Sequence, residues 1–155
     1  MGKQSAGILL FRRTGDVVEV LLGHMGGPFW TGRENGAWSI PKGEYGAEED
    51  AESAARREFE EELSVPVPAA DLIDLGTVRQ SGGKVVTVWA AEGELDLTAV
   101  VYGTFTMEWP RGSGRVQEFP ELDTVAWFDV PTAKEKIVTG QRAFLDRLAE
   151  HLATG

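Results

Sequence analysis

The chain has 155 residues, 25 acidic and 15 basic, for a formal charge of −10, and it contains no cysteine. The missing cysteines exclude disulfides, thiolate metal ligands and a thiol nucleophile, and the acidic balance argues against a broad nucleic-acid surface, which needs a basic stripe. No run approaches the roughly 18 apolar residues of a membrane span, and the length suits one domain, 1–155, with room for a buried core.

The N-terminal Met1-Gly2-Lys3-Gln4-Ser5 carries no signal-peptide cleavage pattern, so a cytoplasmic location is the expectation. From there the chain reads as short strands and two helical regions without a linker or repeat. Ala6 to Arg12 and Val17 to Gly23 read as strands joined by a turn at Thr14-Gly15-Asp16. Residues 25–37 form a Gly-rich loop, and Trp38 to Pro41 is a short strand leading into a turn at Pro41-Lys42-Gly43. Glu48 to Leu63 reads as a helix, with Ala51, Ala54, Ala55, Phe59 and Leu63 at three- and four-residue spacing. Asp71 to Gln80, Lys84 to Ala91, Thr104 to Trp109 and Val125 to Val130 follow as strands, with residues 117–123 as a loop. Pro131 opens a short helix broken at Gly140, and Gln141 to Leu152 is an amphipathic helix with Phe144, Leu145, Leu148 and Leu152 inward. Mixed strands around a helix imply α+β or α/β architecture.

The first helix carries the chemistry. At 100° per residue Glu58 and Glu62 lie about 40° apart, and Glu61 falls within roughly 100° of both. Like charges at this spacing repel, and a Glu-rich helix is most often simply a solvated face. A divalent cation would turn the repulsion into attraction, because magnesium and manganese take hard oxygen ligands. Backbone carbonyls of the Pro41-Lys42-Gly43 turn are further hard ligands, and Ala51 and Ala54 leave room for that turn to approach. Arg57 precedes Glu61 by four residues and can be a surface ion pair worth about 0.3–0.5 kcal/mol. Negative charge does not exclude a nucleotide, because cations held by carboxylates present positive charge to phosphates.

Gly43, Glu49, Arg57-Glu58 and Glu61-Glu62 fall at the spacing of a known signature. The segment Gly43 to Val65 resembles that of the Nudix hydrolases: Gly, five residues, Glu, seven residues, Arg-Glu, an apolar residue, any residue, Glu-Glu, any residue, Gly, an apolar residue. Ser64 stands where the family usually has glycine, and Phe59 is larger than the usual aliphatic. The resemblance implies an α/β fold, an α/β/α sandwich with a mixed sheet. It implies a hydrolase in which water attacks a phosphorus of a nucleoside diphosphate linked to another group. Magnesium or manganese would be held by Glu58, Glu61, Glu62 and the carbonyl of Gly43. Glu58 doubles as candidate base, while Arg57 and Glu49 orient the helix against the turn. Family members often add a carboxylate from beyond the signature; Glu121 is preferred here as alternative base, with Glu118 and Glu108 as the other candidates.

Lys42 is a candidate phosphate contact, and Phe29, Trp30 and Trp38 border the 25–37 loop as candidate stacking platforms. Arg111 and Arg115 flank a flexible Gly112-Ser113-Gly114 and could reach a polyphosphate, whereas His24 and His151 show no ligand pattern. The run Trp38 to Gly43 looks most like dinucleoside-polyphosphate hydrolases, although the tyrosine some of them carry beyond the signature is absent from Gln80-Ser81-Gly82-Gly83. A nucleoside triphosphate pyrophosphohydrolase is the second reading, and a catalytically dead sensor the third. Isopentenyl diphosphate isomerases of similar fold need a cysteine. At Ser64, ordinary helical or extended dihedrals are expected, because serine enters the left-handed region only at a cost of roughly 1 kcal/mol.

Overall fold

A computed structural model describes residues 3–154. A mixed seven-stranded sheet runs β3 (Trp38–Ser39), β2 (Val17–Met25), β1 (Gln4–Thr14), β6 (Val85–Glu92), β5 (Ile73–Arg79), with β4 (Lys42–Glu44) on β1 and β9 (Leu122–Asp129) on β2. Among the described strands only β1 and β6 pair in parallel. Helix α1 (Ala51–Leu63) follows β4, while α2 (Val130–Lys136) and α3 (Arg142–Thr154) follow β9. Strands β7 (Thr104–Glu108) and β8 (Val116–Pro120) form a separate hairpin.

β1 explains the layering. Its nearly continuous buried run is that of a central strand covered on both faces. Ala6, Ile8 and Leu10 pack with Ala54, Ala55, Phe59 and Leu63 of α1, and Leu9 and Phe11 pack with Phe144, Leu145 and Leu148 of α3. The sheet therefore lies between helices, in the α/β arrangement expected from the resemblance. No helix among the described residues is long and apolar enough to cross a membrane.

One edge of β1 serves two partners. Phe11 to Thr14 pair with β2, whereas Ser5 to Gly7 pair with β4. Gly7 permits this, because a methyl group there would lie 2.7 Å from Lys42 Cβ and 2.7 Å from the Pro41 carbonyl oxygen. Pro41 and the first two residues of β4, Lys42 and Gly43, are thereby delivered to the side of α1. Helix α1 starts at Ala51 and not at Glu48, because the Asp50 carboxylate caps it by accepting the Ser53 N–H at 2.9 Å.

Three expectations are corrected. Residues 116–120 form β8, although Gln117, Glu118 and Pro120 give it no apolar alternation; its ladder to β7 supplies the order. The ninth strand begins at Leu122, three residues earlier than its apolar run. Ser64 is left-handed, with φ 60° and ψ 22°. Its cost is offset by two hydrogen bonds: Ser64 N–H donates to the Glu60 carbonyl at 2.7 Å, and its hydroxyl donates to the Val101 carbonyl at 2.8 Å.

Candidate active site

The end of α1 and the β4 turn meet across a cleft of about 550 Å³ lined by Lys42, Gly43, Glu58, Glu61, Glu62 and Glu121. Gly43 lets the two come together, since a methyl group on it would lie 2.0 Å from Glu58 Oε2 and displace that carboxylate. The Glu58 carboxylate thus rests against the β4 backbone, with its side chain 14% exposed, while that of Glu61 is 57% exposed at the mouth.

Arg57 is the hub of this end of the helix. Its Nε and Nη2 donate to the two Glu49 oxygens at 2.8 Å each, a bidentate pair. Its Nη1 donates to Glu58 Oε1 at 2.9 Å and to both Glu61 oxygens at 3.1 Å. This geometry ties Glu49, ahead of the helix, to the two carboxylates one and four positions beyond Arg57. The hydrogen bonds from Arg57 hold Glu49 below the usual carboxylate range.

Glu121 arrives through a relay of backbone hydrogen bonds. Gly103 N–H donates to the Glu62 carbonyl at 3.0 Å, Glu121 N–H to the Gly103 carbonyl at 2.8 Å, and Gly26 N–H to the Glu121 carbonyl at 3.0 Å. The Glu62 carbonyl at the end of α1 is satisfied in this way, and a fourth carboxylate is set beside the other three. Glu108 instead accepts the N–H groups of Gly112 and Gly114 at 2.7 and 3.2 Å, and Glu118 accepts the hydroxyl of Thr104, a cleft-wall residue, at 3.1 Å; neither carboxylate lines the cleft.

The crowding shows in the protonation equilibria. Burial, followed by the charges of Glu58 and Glu121, pushes the Glu62 carboxyl up to about 8. Burial also raises Glu58, against the opposing hydrogen bond from Arg57. Desolvation raises Glu121 and lowers the Lys42 ammonium, the latter partly offset by Glu62.

A profile of the NUDIX domain matches residues 1–148 of the chain. The chain belongs to the Nudix family. It is a hydrolase acting on nucleoside diphosphate derivatives, and its family is generally dependent on divalent metal. No curated protein matches the sequence. Among solved structures it is similar to a C. elegans Ap4A hydrolase in a binary complex, with TM-score 0.68, 22% identity, and coverage of 97% of this chain and 99% of that one. It is also similar to the NUDIX domain of Shewanella oneidensis NrtR complexed with ADP ribose, with TM-score 0.65, 17% identity and coverage of 98% and 89%. RenU, a Nudix hydrolase from M. smegmatis, gives TM-score 0.61, 22% identity and coverage of 99% and 88%. At these identities the likenesses show the fold.

The donor set of this Nudix domain suits a hard cation, because the cleft offers carboxylate and backbone oxygens and no soft ligand. Glu62, held largely protonated near neutrality, is a group whose charge a cation would restore. As placed, no three His, Cys, Asp or Glu side chains among the described residues converge on one point. Arg57 draws Glu58 and Glu61 onto itself, so gathering the ligands requires side-chain rotation, which the exposed Glu61 can make.

Trp30 and Trp38 part company. Trp30 lines two recesses beside the cleft, of about 220 and 470 Å³, that share Met25, Ser39 and Lys42. Trp38, a candidate platform by sequence, is 6% exposed and packs edge-on against His24 and Phe128 at 5.3 and 4.9 Å. Pairing of β3 with β2 turns it into the core, so it does not border the cleft. Phe29 is exposed and packs on Trp109 at 5.2 Å, while Arg111 and Arg115 lie on the exposed hairpin connection outside the cleft lining.

Sequence reading missed Phe105 in the smaller recess and Lys84, Gln80 and Thr104 on the cleft wall. The alternation of β7 makes Phe105 the inward residue of Thr104-Phe105-Thr106. Nothing local says that this face meets the cleft.

Proposed function

We propose that the protein is a magnesium- or manganese-dependent pyrophosphohydrolase of nucleoside diphosphates linked to a second group, with a dinucleoside polyphosphate such as diadenosine tetraphosphate as preferred substrate. The observation that carries this is the cleft shared by Lys42, Gly43, Glu58, Glu61, Glu62 and Glu121, with two adjoining recesses that both include Lys42 and Trp30. Glu58, Glu61, Glu62 and the Gly43 carbonyl are the groups that would hold the metal. When bound, it supplies Lewis-acid charge at the phosphoryl oxygens.

The chain's own groups do the rest. Glu58, or Glu121 in its place, takes a proton from the attacking water, whose oxygen forms a bond to phosphorus as the phosphoanhydride P–O bond breaks. A carboxyl raised above its ordinary range is better matched to that task near neutral pH than an unperturbed one. Lys42 neutralises charge on the phosphate chain. Arg57, fixed by Glu49, holds the helix against the turn, so that the carboxylates stay in register with the reacting phosphorus. Trp30 stacks on a nucleobase, and binding energy gained there is used to align the phosphates for in-line attack.

The test is incubation of purified protein with magnesium or manganese and a panel of diadenosine tetraphosphate, ATP, oxidised dGTP and ADP-ribose, with products separated by chromatography. Asymmetric cleavage of the dinucleotide to a mononucleoside triphosphate and a monophosphate, faster than hydrolysis of ATP, is the expected result. A clear preference for the triphosphates makes the protein a nucleoside triphosphate pyrophosphohydrolase. Nucleotide binding without turnover of any panel member makes it a sensor.

A further inference from the structure

Residues 25–37 carry Trp30 to the two recesses beside the cleft. The base of the segment is anchored, with Met25 N–H donating to the Ala37 carbonyl and Gly26 N–H to the Glu121 carbonyl, each at 3.0 Å, and Trp30 packs partly buried against the core; between those anchors short turns hold the backbone. Trp30 N–H donates to the Gly27 carbonyl at 3.3 Å, Arg33 N–H to the Trp30 carbonyl at 3.1 Å, and Ala37 N–H to the Glu34 carbonyl at 3.2 Å. Such turns do not by themselves set the position of Trp30 relative to the sheet. The far end is tied to α2, where Lys136 pairs with Glu34 at 3.2 Å and Gly36 N–H donates to the Glu135 carbonyl at 3.3 Å. Those contacts leave out the turns at 27–33 that bear Trp30.

His24, buried near the end of β2, reaches those turns. Its Nδ1 faces Asp123 Oδ1 and Oδ2 at 3.0 and 3.2 Å, and its Nε2 faces the Arg33 carbonyl oxygen at 2.6 Å. Both partners are acceptors, and the ring bridges the carboxylate and the loop carbonyl. The placement of Asp123 is built into the sheet. His24 pairs with Thr124 and Met25 with Leu122, leaving Asp123 as the extra residue of a bulge, a device that re-aims one side chain.

We propose that His24 is a positioning residue for the nucleotide: braced by Asp123, it clamps the Arg33 carbonyl and so sets the Trp30 indole where a nucleobase stacks. The inference rests on the reading of Trp30 as a stacking platform. The connection from clamp to platform is short, because the Arg33 N–H bonds the Trp30 carbonyl and the Arg33 guanidinium sits 5.7 Å from the centre of the Trp30 ring. His24 also packs edge-on against the buried Trp38, so a purely structural role is the competitor that the experiment must separate.

His24→Asn keeps an N–H toward Asp123 and loses the reach to Arg33. Asp123→Asn, at a side chain 38% exposed, is a second variant that leaves the core untouched. Hydrogen exchange of the full chain is expected to show amides 27–36 exchanging about tenfold faster in both variants, the scale of losing one hydrogen bond, with α1 and α3 unchanged. With diadenosine tetraphosphate and magnesium, His24→Asn should raise KM about fivefold with kcat near wild type, as expected when a group that orients substrate is loosened. In a Trp30→Ala background it should add nothing to KM. Unchanged exchange in the 27–36 segment overturns the clamp. Equal KM increases in both backgrounds, or a fall in kcat at constant KM, make His24 structural and overturn the proposal. If Trp30→Ala itself leaves KM unchanged, the stacking reading fails and the substrate role given to His24 fails with it, while the exchange data still decide the clamp.

Discussion

Helices α1 and α3 have the same length, 13 residues, and cover opposite faces of one sheet, yet they are built for different ends. α3 buries Phe144, Leu145 and Leu148, pairs Asp146 with Lys134, and lets Arg147 donate to the Leu75 and Thr77 carbonyls at 2.9 and 3.1 Å. α1 buries two alanines beside Phe59 and Leu63 and carries five glutamates against two arginines. Glu60, Glu61 and Glu62 fall in its last turn, where the helix dipole disfavours negative charge. The missing side chain of Gly43 lets the Glu58 carboxylate lie against β4. One helix is optimised for burial; the other gives up stability to gather carboxylates.

The sharpest way to break this contrast is to exchange charge for neutrality on α1. Glu58→Gln and Glu62→Gln are each expected to lower kcat/KM by at least about a hundredfold, the scale of losing a preorganised electrostatic group, with circular dichroism unchanged. Unfolding of Glu62→Gln would show that α1 also holds the fold through its charges. The reciprocal change, Leu148→Ala on α3, should cost about 2–5 kcal/mol and lower the melting temperature by roughly 5–15 °C. Its kcat/KM below the transition should match wild type. A selective loss of catalysis in folded Leu148→Ala would mean that the two faces are coupled.

pH sharpens the comparison further. The Glu62 carboxyl sits at about 8 in the folded protein against an ordinary value of 4.5. The folded state therefore holds this proton more tightly than the unfolded chain does. Its contribution is fully present below about pH 4.5 and is lost as pH rises through about 8. In the metal-free protein, Glu62→Gln should melt with wild type near pH 4 and several degrees above it near pH 8. Saturating magnesium should shrink or reverse that gap, because binding to the folded state stabilises wild type by mass action. A gap that is constant across pH would remove Glu62 from the crowded cluster.

How much of this was legible in the sequence follows from the range of the interactions involved. The arc of Glu58, Glu61 and Glu62 and its Arg57 hub depend on helical spacing, which a sequence displays directly. Glu121 was preferred among three acids on its loop position alone. Its selection depends on the Gly103 relay to the end of α1 and on the nearby bulge at Asp123, both non-local. Trp38 borders an aromatic loop in sequence, yet strand pairing turns it inward, a tertiary override of a local pattern. Phe105 enters its recess because a hairpin outside the main sheet packs along the 25–37 loop, where Gly27 leaves room for its ring.

Ser64 is the smallest and most local test of how α1 is ended. Glycine in its place would relieve the left-handed strain, worth roughly 1 kcal/mol, but would also forfeit the hydroxyl bond to the Val101 carbonyl, worth about 1 kcal/mol net. Ser64→Gly should therefore melt within a degree or two of wild type. Ser64→Ala keeps the strain and loses the bond, and should fall below both by a few degrees. Activity offers a finer reading, since the same hydroxyl ties the helix end to the segment that leads through Gly103 to Glu121. If Ser64→Gly melts as predicted but loses several-fold in kcat, about 1 kcal/mol at the transition state, the hydroxyl is aligning Glu121 as well as closing a helix. Melting well above wild type would instead show that the bond to Val101 does not offset the strain.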